Sequence, residues 1–117
     1  MNIFVFGSNR QGRHGAGAAK FALANHGAIY GQPEGLQGQS YAIITKELRP
    51  GWPPVTLEEV IDGIMRFRKF GLANRELEFH ITKVGCGLAG FREEDISVYF
   101  TGLPERFHLP KGWTNGQ

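Results

Sequence analysis

The sequence predicts a single α/β domain over residues 1–117, a small sandwich in which a mixed sheet carries helices on both faces. Three observations carry this expectation. Apolar runs and helical patterns alternate in the order β, α, β, α, β, α. Two of the apolar runs feed directly into glycine-rich turns, at residues 7–17 and 85–90. The 17 glycines gather there and at residues 27–38, without the period of collagen or the Pro/Ser enrichment of a linker.

Residues 2–6 are apolar apart from Asn2, as expected of a strand covered on both faces. The first glycine turn follows. Residues 15–26 are rich in alanine, the best helix former, and Asn25-His26-Gly27 offers a C-cap. Such small side chains let a helix lie close to a sheet. Residues 28–40 hold repeated turn residues and no lasting period, which predicts a loop. Tyr41-Ala42-Ile43-Ile44-Thr45 predicts a second buried strand, ending at Lys46 and Glu47. The prolines of Arg49-Pro50-Gly51-Trp52-Pro53-Pro54 exclude helix and central strand.

The clearest helix starts at Thr56. With Glu59 three residues on, it forms a capping-box pattern, and Leu57, Val60, Ile61, Ile64, Phe67 and Phe70 recur at helical spacing up to Gly71. Residues 77–84 alternate as a strand does and run into the second glycine turn. Glu93, Glu94 and Asp95 then load the first turn of a short helix reaching about Phe100. The remainder, to Gln117, is expected to be irregular, with one short edge strand near Phe107 and a mobile end.

Composition narrows the function classes. The chain is 41% apolar and 21% charged, and no apolar run approaches a membrane span, so no membrane partner is expected. Met1 to Phe6 lacks the basic and long apolar regions of a signal peptide, and the one cysteine cannot form an internal disulfide; both favour the cytoplasm. A net charge of +2, carried by scattered basic residues, gives little of the field that nucleic-acid binding needs. His26, His80 and His108 show no metal-ligand spacing with one another or with Cys86, so neither a metal nor another cofactor is expected.

What remains is a loop chemistry suited to anions. Gly7, Ser8 and Asn9, then Gly12, Gly15 and Gly17, lead from a strand into a helix whose free N–H groups and dipole favour negative charge. The loop lacks the Gly-Lys-Ser/Thr ending of a nucleotide triphosphate-binding P-loop, and its spacing does not fit the dinucleotide fingerprint. Arg13 can clamp a phosphate, and His14 can act as acid, base or donor; the alternative is that both are exposed loop residues. Lys46 and Glu47 should share the sheet edge with both glycine turns. Glu47 is there either as a general base or as one half of a surface ion pair. Lys83 either reaches a phosphate or is a solvated strand end. Cys86 reads as a small side chain between glycines rather than as a nucleophile.

Asn9 after a first strand, the Gly/Ala-rich turn into a helix, and a later strand ending in Gly85-Cys86-Gly87-Leu88-Ala89-Gly90-Phe91 together resemble the two ligand loops of macro domains, which bind ADP-ribose. The pattern looks closest to a small bacterial and bacteriophage branch sharing Phe-Gly-Ser-Asn and Gly-Cys-Gly-Leu-Ala-Gly. The resemblance implies that Asn9 contacts the distal ribose, that the backbone of residues 87–90 faces the diphosphate, and that Phe91 packs beside the ribose. The family's glycine run followed by aspartate is replaced here by Gly12-Arg13-His14-Gly15-Ala16-Gly17. The adenine-binding aspartate of the family also has no counterpart, which leaves adenine specificity open.

Two functions follow as expectations. One is hydrolysis at the distal ribose, releasing ADP-ribose from a conjugate or cleaving a related metabolite, with Asn9 orienting the ribose and Glu47 or His14 handling the proton. The other is a module that binds a nucleotide signal, free or on an ADP-ribosylated macromolecule, and does no chemistry. The sequence leaves the oligomeric state open.

Overall fold

The computed structural model describes residues 1–114. Its centre is β1 (Asn2–Asn9), which is buried because it has a parallel strand on either side. β3 (Ser40–Lys46) pairs with it through Phe4↔Ser40 to Ser8↔Ile44, and β4 (Glu78–Ile81) pairs through Asn2↔Glu78 to Val5↔Ile81. β5 (Phe107–His108) extends the sheet in parallel beyond β4, while β2 (Gly35–Gln37) runs antiparallel along β3. The order is β2-β3-β1-β4-β5, and β2 alone makes the sheet mixed.

Strand alternation divides the apolar residues of β1 between two layers. Phe6, with Phe4 at its margin, meets Ala19, Ala22, Ala28 and Ala42 beneath α1 (Gly17–Asn25). The alanines replace bulk with proximity. Ile3 and Val5 face the larger core, shared with Tyr41, Ile43, Phe79 and Ile81 of the neighbouring strands and with α2 (Leu57–Ala73). α2 buries Val60, Ile64, Phe67 and Gly71, one helical stripe. Phe67 stands edge-on to Phe79, with centroids 5.2 Å apart at 87°, the arrangement that aromatic quadrupoles favour. α3 (Glu93–Ser97) and a following 3-10 turn (Val98–Phe100) add Ile96 and Phe100 to this core. Helices thus cover both faces of the sheet.

The capping box forms as expected: Thr56 Oγ1 accepts from the Glu59 amide at 3.2 Å, and the Glu59 carboxylate accepts from the Thr56 amide at 3.0 Å. The short edge strand at Phe107 is also present.

Other expectations need correction. Gly7, Ser8 and Asn9 do not begin the first loop; they are the end of β1. Gly7 serves close approach, because a Cβ there would lie 3.1 Å from Thr45 Oγ1 and 3.3 Å from the Gly85 nitrogen. The helix expected from residue 15 begins at Gly17. The segment 28–40 is not wholly loop, since it contains β2. The long helix does not stop at Gly71 but runs to Ala73, and Gly71 instead admits the Phe107 ring, which a Cβ would approach to 2.7 Å. The strand expected over 77–84 is only Glu78–Ile81, because Val84 N–H turns back onto the Thr82 carbonyl at 2.7 Å. Residues 115–117, within the end expected to be mobile, lie outside the described residues.

Candidate functional site

The strand order decides where a ligand can enter. The connection leaving β1 carries α1 across one face towards β3, whereas the connection leaving β4 carries α3 across the other face towards β5. The loops after the adjacent β1 and β4 therefore diverge, and a crevice opens outside their carboxyl ends. It is a cavity of about 760 Å³. The strand ends contribute Gly7, Ser8, Asn9, Thr45 and Thr82. Thr45 Oγ1 donates to the Ser8 carbonyl at 3.0 Å and Thr82 Oγ1 to the Val5 carbonyl at 2.8 Å, so both hydroxyls bind strand to strand.

The first loop is held rigidly on its own backbone. Asn9 Nδ2 donates to the Arg13 carbonyl at 2.7 Å, and Asn9 Oδ1 accepts from the Arg13 amide at 2.9 Å. Gly12 N–H closes the turn onto the Asn9 carbonyl at 2.9 Å, with φ +66°. The amide of Asn9 thus brackets the loop with one N–H and one lone pair, leaving one of each for another partner.

Arg10 and Gln11 point away to the outside of the loop, where they meet Glu47. Arg10 Nη1 lies 3.1 Å from Glu47 Oε1 and donates to the Pro53 carbonyl at 2.7 Å, while Nη2 reaches Glu59 at 2.9 Å. Gln11 Nε2 donates to Glu47 Oε2 at 2.6 Å, and Arg49 Nη2 pairs with Glu47 Oε1 at 2.8 Å. The Glu47 side chain is 2% exposed. Arg49 foremost, with Arg10 and Gln11, holds its carboxyl well below the usual carboxylate range. A carboxylate so occupied is a poor proton acceptor.

His14 is buried. Its Nε2 donates to Gln37 Oε1 at 3.0 Å, its ring stands edge-on to Phe6, and its buried Nδ1 has no hydrogen-bond partner among the described residues. Gln37 Oε1 also accepts from the Ile29 amide at 2.8 Å, which makes His14 Nε2 the donor in the pair.

α1 begins inside the cavity. Its N-cap is Ala16, which offers no capping side chain, and Ala16, Gly17, Ala18 and Ala19 all line the space. The amides of the first turn have no intrahelical acceptor and carry the positive end of the helix dipole. Opposite them the second loop is folded by Phe91 N–H to the Gly85 carbonyl at 2.9 Å and by Gly90 N–H to the Gly87 carbonyl at 3.0 Å. Gly85 and Gly90 take φ values of +77° and +80°. Leu88 of this loop hangs over the helix start, its Cδ1 3.7 Å from where a Gly17 Cβ would be.

The charge in the lining has one sign. Arg13, Lys46 and Lys83 contribute, and among the described residues no carboxylate lines the cavity. Lys83 is paired with Glu93 at 3.1 Å, and Glu93 is held in turn by Trp113 Nε1 at 3.0 Å. Arg13 and Lys46 have no acidic partner among the described residues.

The structure therefore gathers most of the expected residues. Gly7, Ser8, Asn9, Arg13, Gly15, Gly17 and Lys46 line the cavity from one side, and Gly85, Gly87, Leu88 and Ala89 line it from the other. His14, Glu47, Cys86, Gly90 and Phe91 do not line it. Phe91 packs against the larger core and presses on Gly85, 3.3 Å from that residue's Cβ position, so it shapes the loop rather than facing the space. Burial, with Glu93 nearby, pushes the Cys86 thiol up, which keeps it protonated. Tyr30 and Leu48 line the cavity without having been expected there. An aromatic residue amid the turn residues 27–38 was the available signal for Tyr30.

No family model matches the chain, and a search of curated proteins finds no match. Among solved structures, the chain is similar to one titled as a protein of unknown function from Bacteroides thetaiotaomicron, with 16% identity, a TM-score of 0.53, and coverage of 93% of this chain and 86% of that one. At that identity the likeness concerns the fold alone.

Proposed function

We propose that the chain is a binding module for an ADP-ribose-type nucleotide diphosphate, taken up free or attached to a macromolecule. The observation that carries this reading is the uncapped start of α1, opening beside Arg13 and Lys46 into a cavity that, among the described residues, no carboxylate lines. Unpaired amides, a helix dipole and two unneutralised cations all favour phosphate. The volume of about 760 Å³ falls within the roughly 300–1,000 Å³ of small-molecule sites. The resemblance of the two loops to those of macro domains supports the nucleotide class.

Binding is favoured over hydrolysis by the fate of the acid–base candidates. Glu47 is surrounded by donors outside the cavity, and His14 is buried against Phe6 and Gln37. Calorimetry with ADP-ribose, ADP and NAD is the test. Binding tighter than millimolar that weakens in Arg13→Ala is the expected result; no binding of any of the three overturns the proposal. An ADP-ribosylated protein incubated with the chain should bind and remain modified.

A further inference from the structure

We infer that Tyr30 is the platform on which the planar base of the bound nucleotide stacks. This rests on the nucleotide reading above and assigns the half of the ligand that the phosphate chemistry leaves unexplained. Amides and cations account for an anion, yet the cavity also exposes Tyr30, Leu48 and Leu88, at 62%, 37% and 68% of their surface. A phosphate asks for donors, whereas an exposed ring gains from a flat apolar partner that removes it from water.

Tyr30 differs from an ordinary exposed loop aromatic in how its backbone is held. It sits in the connection between α1 and β2, with bonded residues on both sides. The Ile29 amide donates to Gln37 Oε1 at 2.8 Å, and the Gly31 amide donates to the Gly12 carbonyl at 2.8 Å. Gln32 N–H returns to the Ile29 carbonyl at 3.1 Å, closing the turn. Gln37, 2% exposed, also donates to the Gln32 carbonyl at 3.1 Å and receives His14. The turn carrying Tyr30 and the loop carrying Arg13 are therefore braced on shared residues, Gly12 and Gln37. The backbone that carries the ring is therefore ordered before the ligand arrives, and only the side chain's own rotamers remain to be fixed on binding. Ile29, also exposed on the same turn, does not line the cavity, whereas Tyr30 does. Among the described residues the Tyr30 hydroxyl has no hydrogen bond, leaving the ring as its main asset.

The test compares wild type, Tyr30→Ala and Tyr30→Phe by calorimetry against ADP-ribose and against ribose 5-phosphate, which keeps sugar and phosphate but lacks the base. Tyr30→Ala should weaken ADP-ribose by about 10- to 100-fold, the scale of base-on-ring stacking. Tyr30→Phe should stay within about twofold of wild type, because the ring face is kept. Ribose 5-phosphate should bind all three alike. Equal losses for the two ligands in Tyr30→Ala, or undiminished ADP-ribose binding, would overturn the assignment while leaving the nucleotide reading in place. A wild type that binds ribose 5-phosphate but not ADP-ribose would overturn both.

Discussion

Gln37 Oε1 stands 3.0 Å from His14 Nε2 and accepts its hydrogen bond, joining β2 to the first loop through two side chains that solvent barely reaches. The same oxygen holds the Ile29 amide. Gln37→Leu keeps the volume roughly but leaves the His14 and Ile29 donors without an acceptor. An unsatisfied buried donor costs about 1–3 kcal/mol, so a loss of about 2 kcal/mol or more is expected in urea unfolding. ADP-ribose affinity should fall with it, because the turn bearing Tyr30 loses its brace.

Gly12 and Gly15 lie in one loop and should respond very differently to alanine. Gly12 has φ +66°, and a Cβ there would come within 2.6 Å of the Gly31 carbonyl carbon. Gly12→Ala should cost about 2–3 kcal/mol or more in backbone strain and displaced chain. Around the Cβ position of Gly15 nothing lies within 4 Å. Gly15→Ala should leave the unfolding midpoint almost unchanged, which thermal denaturation of the pair will show.

The unneutralised cations of the cavity predict a binding effect without a folding effect. Arg13→Ala and Lys46→Ala should each weaken ADP-ribose by about tenfold or more, as expected for a lost charge-assisted bond. Their melting temperatures should match wild type, since neither side chain has an acidic partner among the described residues. Affinity should also fall as salt is raised, and fall less steeply in either variant.

Glu47 predicts a pH dependence of stability. Its folded carboxyl lies below the ordinary value of 4.5, chiefly through Arg49, with Arg10 and Gln11 adding to it. Its contribution is therefore complete above about 4.5 and is lost as pH falls towards the depressed folded value. Glu47→Gln should be less stable than wild type at neutral pH, and its melting temperature should decline less on acidification below that point. Thermal melts of both proteins across the acid range provide the comparison.

Much of the fold was legible because its signals are local. Thr56 and Glu59 announce a helix start within four residues, and the stripe from Val60 to Phe67 announces which side is buried. β2 was illegible for the opposite reason: it has three residues, and the one it buries is the polar Gln37, whose partners come from residues 14, 29, 32 and 35. The same limit applies to Glu47. Sequence places it at a strand end, but whether it is free or engaged depends on Arg10 and Gln11 from another loop. The two glycine turns could be matched to one cavity because strand, turn and helix follow each other directly. Phe91 could not be assigned by position, since only packing shows that it faces the core.

The central place of β1 has a consequence for how the site comes into being during synthesis. Of the described strands β1 is made first, yet its nearest pairing residues are Ser40 on one edge and Glu78 on the other. A chain growing from its N-terminus carries the first loop and α1 long before residues 85–89 exist to face them. On the proposed reading, a ligand meets the complete two-loop cavity only after residues 85–89 are made, and so stabilises the folded chain. Occupancy of the cavity would thus report that the pairing of β1 with β4 has been completed.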